Sequence, residues 1–171
     1  MKQHSRRRLG AAATIAYAAA ILAANRLTYR YGLIPVGFGL SATAGTYCAG
    51  CALMLRNQVQ DLFGRRFVAA AIMAGAALSA FISPTLAVAS GTAFAIGELI
   101  DMALYTPLRR IGWARAVLAA SLLDAVLDTI VFLYLAAIPA TGRNIAGQLI
   151  AKAWAVWVPV VFVALLQEHS P

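Results

Sequence analysis

The sequence predicts an all-α integral membrane protein, a bundle of six transmembrane helices, and three observations carry that prediction. Of its 171 residues, 62% are hydrophobic and only 12% charged, with a mean hydropathy of +0.78, whereas soluble domains carry about 25% charged residues. The apolar residues fall into six runs, each near the roughly 20 residues that cross a hydrocarbon core. The net charge of +8 is gathered between those runs without aromatic interleaving. That is the pattern of the positive-inside rule and not of a nucleic-acid surface, so no nucleic-acid partner is expected.

The first run, residues 9–24, comes after Lys2, Arg6, Arg7 and Arg8. The arginines do not read as an export signal, because the chain continues as further membrane-type runs and not as a soluble mature domain. Ala12, Ala16, Ala20 and Ala24 recur at four-residue spacing, which lets another backbone approach closely. Residues 27–39, with Pro35 and Gly37, are expected as a loop or a broken re-entrant piece. The second span is placed at 40–55. Its Cys48 and Cys51 read as small packing residues, since neither a second pair nor a nearby histidine accompanies them.

Arg56, Asp61, Arg65 and Arg66 are expected to form the next polar turn. The third span, 67–82, ends before Ser83-Pro84, because proline disfavours helix at the residue preceding it. The fourth span is 86–105. A basic turn around Arg109 and Arg110 leads to the fifth, 114–137, and a turn with Pro139, Gly142 and Arg143 leads to the sixth, 145–166. Residues 1–171 thus read as a single transmembrane domain.

Basic residues set the expected orientation. The N-terminus and the segments after spans two and four hold Lys2, Arg6, Arg7, Arg8, Arg56, Arg65, Arg66, Arg109, Arg110 and Arg115, against Arg26, Arg30 and Arg143 on the other side. Both termini are therefore expected in the cytoplasm, with the chain in the inner membrane.

Four carboxylates lie where a bilayer tolerates them least. Glu98 and Asp101 are three residues apart in span four, and Asp124 and Asp128 are four apart in span five, so each pair shares a helix face. A charge at bilayer depth costs at least about 2.5 to 3.5 kcal/mol, so these residues ask for a reason. With a rise of about 1.5 Å per residue, Lys152 of span six and Asp128 fall at one level, and Glu98 and Asp124 at another. A Lys152–Asp128 ion pair is expected, with a second acidic cluster below it. Asn25, at the outer end of span one, adds donors and acceptors. Burial and mutual repulsion favour protonation of some of these acids, unless water or a ligand reaches them.

Enzyme readings lack parts. The chain has no HExxH, no Walker-type loop and no serine nucleophile motif with a partner histidine. A metal-dependent enzyme acting on lipids inside the membrane is the alternative, disfavoured because the acids lie deeper than headgroups. No cofactor and no resident metal are expected.

Several short motifs, in this order, make the chain resemble the vitamin uptake transporter family. They are Asn25-Arg26-Leu27, Asp61-Leu62-Phe63-Gly64-Arg65-Arg66, and Gly97-Glu98-Leu99-Ile100-Asp101 with Tyr105 and Leu108-Arg109 after it, then Asp128-Thr129 and Lys152. The best-known members of that family import queuosine precursors such as 7-cyano-7-deazaguanine, and the family is similar to the six-helix substrate-binding subunits of energy-coupling-factor importers. The resemblance implies a carrier for a small planar heterocycle. Asp101, Asp128 and Lys152 would read its hydrogen-bonding edges, Glu98 and Asp124 would tune protonation, and Asn25 would close the outer side. Two alternatives for energy stand beside it: a separate ATP-hydrolysing module met through the alanine ladder, as the resemblance implies, or a solitary carrier driven by a gradient or by intracellular trapping; a homo-oligomer is the other partner expectation. Ala125 and Leu127 stand where deazapurine carriers often have Asn and Ser, which bears on the particular substrate.

Overall fold

Long apolar runs separated by short turns fold back on one another, and the chain forms six helices. The structure is a computed structural model describing residues 3–168; side chains at 3–9, 98, 101–102, 105–106, 111, 113–114, 117, 120–121, 158–160 and 162–168 lie outside that description. The elements are α1 (Gln3–Tyr31), β1 (Leu33–Gly37), β2 (Leu40–Thr43), α2 (Thr46–Phe63), α3 (Arg65–Ala80), α4 (Pro84–Leu108), a 3-10 turn (Arg109–Ile111), α5 (Trp113–Leu135) and α6 (Gly142–Glu168).

The helices pack as a closed ring in the order α1, α2, α6, α5, α4, α3, each touching the next and α3 returning to α1. Successive helices run in opposite directions, so one end of the ring carries the hairpin and the other the basic turns. Tyr17, Ile21, Leu53, Val59, Val68, Ile72, Phe94 and Val156 belong to the main apolar core. A smaller cluster of Leu86, Ala89, Ala93, Phe132 and Leu133 fills the hairpin end between α4 and α5.

Turn chemistry explains the helix ends. Gly64, at φ 83°, breaks α2 from α3 while its amide bonds the Gln60 carbonyl, a left-handed stop that costs only glycine nothing. Ser83 Oγ accepts the Leu86 amide at 3.3 Å, and Pro84 opens α4, where its missing N–H is not needed. Ser83→Ala should lower stability by about 1 kcal/mol, read as a fall in the thermal unfolding midpoint of the detergent-purified protein. An unchanged midpoint would remove the cap from the account.

Three expectations are corrected. Residues 27–39 are not a loop or a re-entrant piece: α1 continues to Tyr31, and an antiparallel hairpin comes next. Phe38 and Gly39 turn it, both at positive φ (52° and 69°). Pro35 is tolerated because a two-stranded sheet has only edges and needs no further donor there. The hairpin displaces the second helix, which begins at Thr46 and not at residue 40, and runs on to Phe63. Arg56 therefore does not lie in a polar turn. It sits inside α2 with 0% exposure and donates to Asn57 Oδ1, because the polar stretch after Leu55 stays helical and turns Arg56, Asn57 and Val59 inward.

The surface differs between the two ends. Tyr29, Tyr31, Phe38, Phe81 and Tyr134 are exposed at the hairpin end. Arg65, Arg66, Arg109, Arg110 and Arg115 are exposed at the other, where Arg109 pairs with Asp61 at 3.5 Å. Among the described residues, Gly10–Tyr31 is the helical stretch long and apolar enough to cross a membrane by length and composition, and Pro84–Gly97 is a shorter apolar helix.

Candidate functional site

Lys152 is where the buried polar groups converge. It sits on α6 with 2% exposure, and its Nζ is held by three groups of α5. It pairs with Asp128 Oδ2, donates to Thr129 Oγ1 at 2.9 Å, and lies 3.4 Å from the Ala125 carbonyl. The spacing of these residues along α5 is what brings them to one lysine, because residues three and four apart stack on one helix face. Three ammonium protons meet three acceptors, so neither ion is stranded in the interior.

Around the pair lies a small cavity lined from every side of the ring except α3. Asn25 and Thr28 of α1 reach it, as do Thr43 of β2, Thr46 of α2, Ser90 and Phe94 of α4, Asp128 and Phe132 of α5, and Gln148 and Lys152 of α6. Asn25 Nδ2 donates to Ser79 Oγ at 2.8 Å and to Ser90 Oγ at 2.9 Å, tying α1 to α3 and α4. Thr43 and Thr46 hydroxyls bond each other at 2.8 Å. Thr28 Oγ1 accepts the Gly45 amide at 3.2 Å, which joins α1 to the start of α2. The free space is about 30 Å³, room for a water or so and well below the roughly 300 Å³ at which ligand pockets begin.

The hairpin forms the roof. Arg143 Nε, at the start of α6, donates to the Gly39 carbonyl at 2.8 Å, and a β-carbon on Gly147 would collide with the backbone of Ser41. Only a glycine lets α6 and β2 meet this closely.

A larger cavity of about 190 Å³ opens between α5 and α6, lined by Leu122, Ala125, Leu149, Ile150, Ala153, Val156 and Trp157 beside Lys152. Apart from a lysine whose donors are already engaged, that lining is apolar, so it offers no set of polar groups to orient a ligand.

The expected site residues divide. Asn25, Asp128 and Lys152 line the one cavity. Asp124 does not: it is buried one turn towards the basic end, with its carboxylate packed where a β-carbon on Gly97 would stand. Glu98 and Asp101 are on α4 about 12 and 16 Å along the helix from Ser90, and their side chains, like that of Tyr105, lie outside the described ones. Thr28, Thr43, Thr46, Ser90 and Gln148 also line the cavity and are not among the residues expected from the sequence. Gln148 carried a signal, since it stands four residues before Lys152 in an apolar helix and so on the same face.

The six helices thus surround a charge-paired polar cavity near the hairpin end, a place where helical bundles commonly build ligand sites. Residues 82–167, from the start of α4 almost to the end of α6, match the family model described as "Putative vitamin uptake transporter". The chain belongs to that vitamin uptake transporter family, and a transporter family implies a membrane location. No curated protein and no solved structure matches it.

Proposed function

We propose that this chain is a six-span inner-membrane carrier that imports a small planar heterocycle, a queuosine precursor of the 7-deazapurine type or a related vitamin-like compound, and that it is not an enzyme. The observation that carries this reading is the cavity at Lys152 and Asp128. An ion pair, two amides and several hydroxyls converge there from five helices and the hairpin in an otherwise apolar bundle. A carboxylate and amides suit a ring that presents adjacent donors and acceptors. The cavity, at about 30 Å³, would admit such a ring once the hairpin lifts from α6 and enlarges it.

The membrane reading has its own support. Ile15, Met73, Leu78, Val88, Leu99, Leu122, Ile130, Trp154 and Val161 are exposed apolar side chains spread over the helices, more than a soluble monomer normally presents to water. The exposed aromatic residues at the hairpin end fit an interfacial belt, and the arginines at the other end fit a cytoplasmic face with both termini inside. Moving Arg56 into α2 leaves nine basic residues on that side against three. A second reading concerns the partner: Ala12 and Ala16 are exposed on α1, a small-residue face on which an ATP-hydrolysing module or a second copy would sit.

Uptake of labelled 7-cyano-7-deazaguanine by cells lacking their own synthesis route tests the proposal. The parent chain should restore accumulation, and Asp128→Asn, present in the membrane at equal amount, should reduce it at least about tenfold. Accumulation no higher than with an empty vector would overturn the substrate assignment. Activity that needs added Mg²⁺ and a lipid acceptor would favour the enzyme instead.

A further inference from the structure

Asn57, Gln60 and Gln148 each have a buried side-chain atom without a hydrogen-bond partner among the described residues, and of these three it is Gln148 that faces the cavity. It lines the cavity at 1% exposure, and its Nε2 has no hydrogen-bond partner among the described residues. A buried amide donor without an acceptor is destabilising, so its retention in an apolar helix needs a cause. The backbone of this turn of α6 is packed closely against Ser41 at Gly147.

The neighbouring groups show what is left for a ligand. All three Lys152 donors are engaged, and both Asn25 Nδ2 donors go to Ser79 and Ser90. Asp128 meets Lys152 through Oδ2, and its Oδ1 enters no described bond. The lysine and aspartate cancel in charge. Resting on the carrier reading above, we infer that Gln148 is a specificity-determining residue: its Nε2 donates to an acceptor atom of a neutral heterocycle whose adjacent N–H donates to Asp128 Oδ1. The ligand class is therefore an uncharged ring with a lactam-type edge. A cationic or anionic ligand would add an unbalanced charge beside the ion pair.

Purified protein, titrated calorimetrically with 7-deazahypoxanthine and with indole, tests this. The first carries the lactam edge; the second is a bicycle of similar size with a lone N–H. Parent protein should bind 7-deazahypoxanthine at least about tenfold more tightly than indole. Gln148→Leu should erase that preference while shifting indole affinity less than twofold, and Gln148→Glu, which presents an acceptor to the ligand carbonyl, should weaken the lactam further. Without ligand, Gln148→Leu should raise the thermal unfolding midpoint, because it removes an unpaired donor, whereas a packing role predicts a fall. Equal affinities for the two compounds in the parent, an undiminished preference in Gln148→Leu, or a lowered midpoint would each overturn the inference. If cells still accumulate deazapurine through Gln148→Leu, the carrier reading stands and this assignment fails. If purified protein shows the preference but cells accumulate nothing, the site stands and transport fails.

Discussion

Lys152→Ala is expected to destabilise the protein by roughly 3 to 5 kcal/mol, the usual cost of removing one member of a buried ion pair. The loss arises less from the attraction forfeited than from the carboxylate left behind: Asp128 would keep its place in the interior without the ammonium it now meets. Thr129 would also lose its 2.9 Å bond. The double variant Asp128→Leu, Lys152→Met removes both charges at similar volume and should recover most of that stability, yet it should not bind 7-deazahypoxanthine. Thermal unfolding in detergent micelles with titration of the same samples separates the two roles. A single variant as stable as the parent would show that the pair does not hold α5 to α6, and a double variant that still binds would take the pair out of the site.

Gly147→Ala should have the next largest effect, about 1 to 3 kcal/mol, from a single methyl group. That methyl would meet the Ser41 backbone, which cannot rotate aside as a side chain can, so either α6 or β2 has to move. The hairpin is the weaker element. Two short strands are marginal on their own, and the described tethers to α6 include one arginine bond at Gly39. Amide hydrogen exchange should rise across residues 33–43 while α4 and α5 stay protected. Uniform protection would show that the hairpin is not held at this contact and would remove it as the roof of the cavity.

Much of this arrangement was legible along the chain. The six helical segments can be read from apolar runs and breakers such as Ser83-Pro84 and the residues around Gly112, because each run is long and its ends are chemically marked. The Lys152 and Asp128 levels could be set by counting residues from the helix ends, since helix rise is constant. The hairpin was not legible. Leu33 to Val36 is short, interrupted by proline and bordered by glycines, which reads equally as loop. Arg56 misled for a related reason: charge near a turn predicts exposure, and only the partners from other helices decide whether a helical arginine faces inward.

The sequence by itself determined the class of fold, the places where it turns, and which residues are too costly to bury without a partner, because those depend on local periodicity and on the free energy of moving a group from water. Only the tertiary structure decided which costly groups meet. It brought Asn25, Asp128, Gln148 and Lys152 around one cavity and set Asp124 against Gly97 instead. Helix rotation within the ring is chosen by packing at glycines and alanines far apart in the chain, and one residue of rotation, about 100°, carries a side chain from the cavity to the outside.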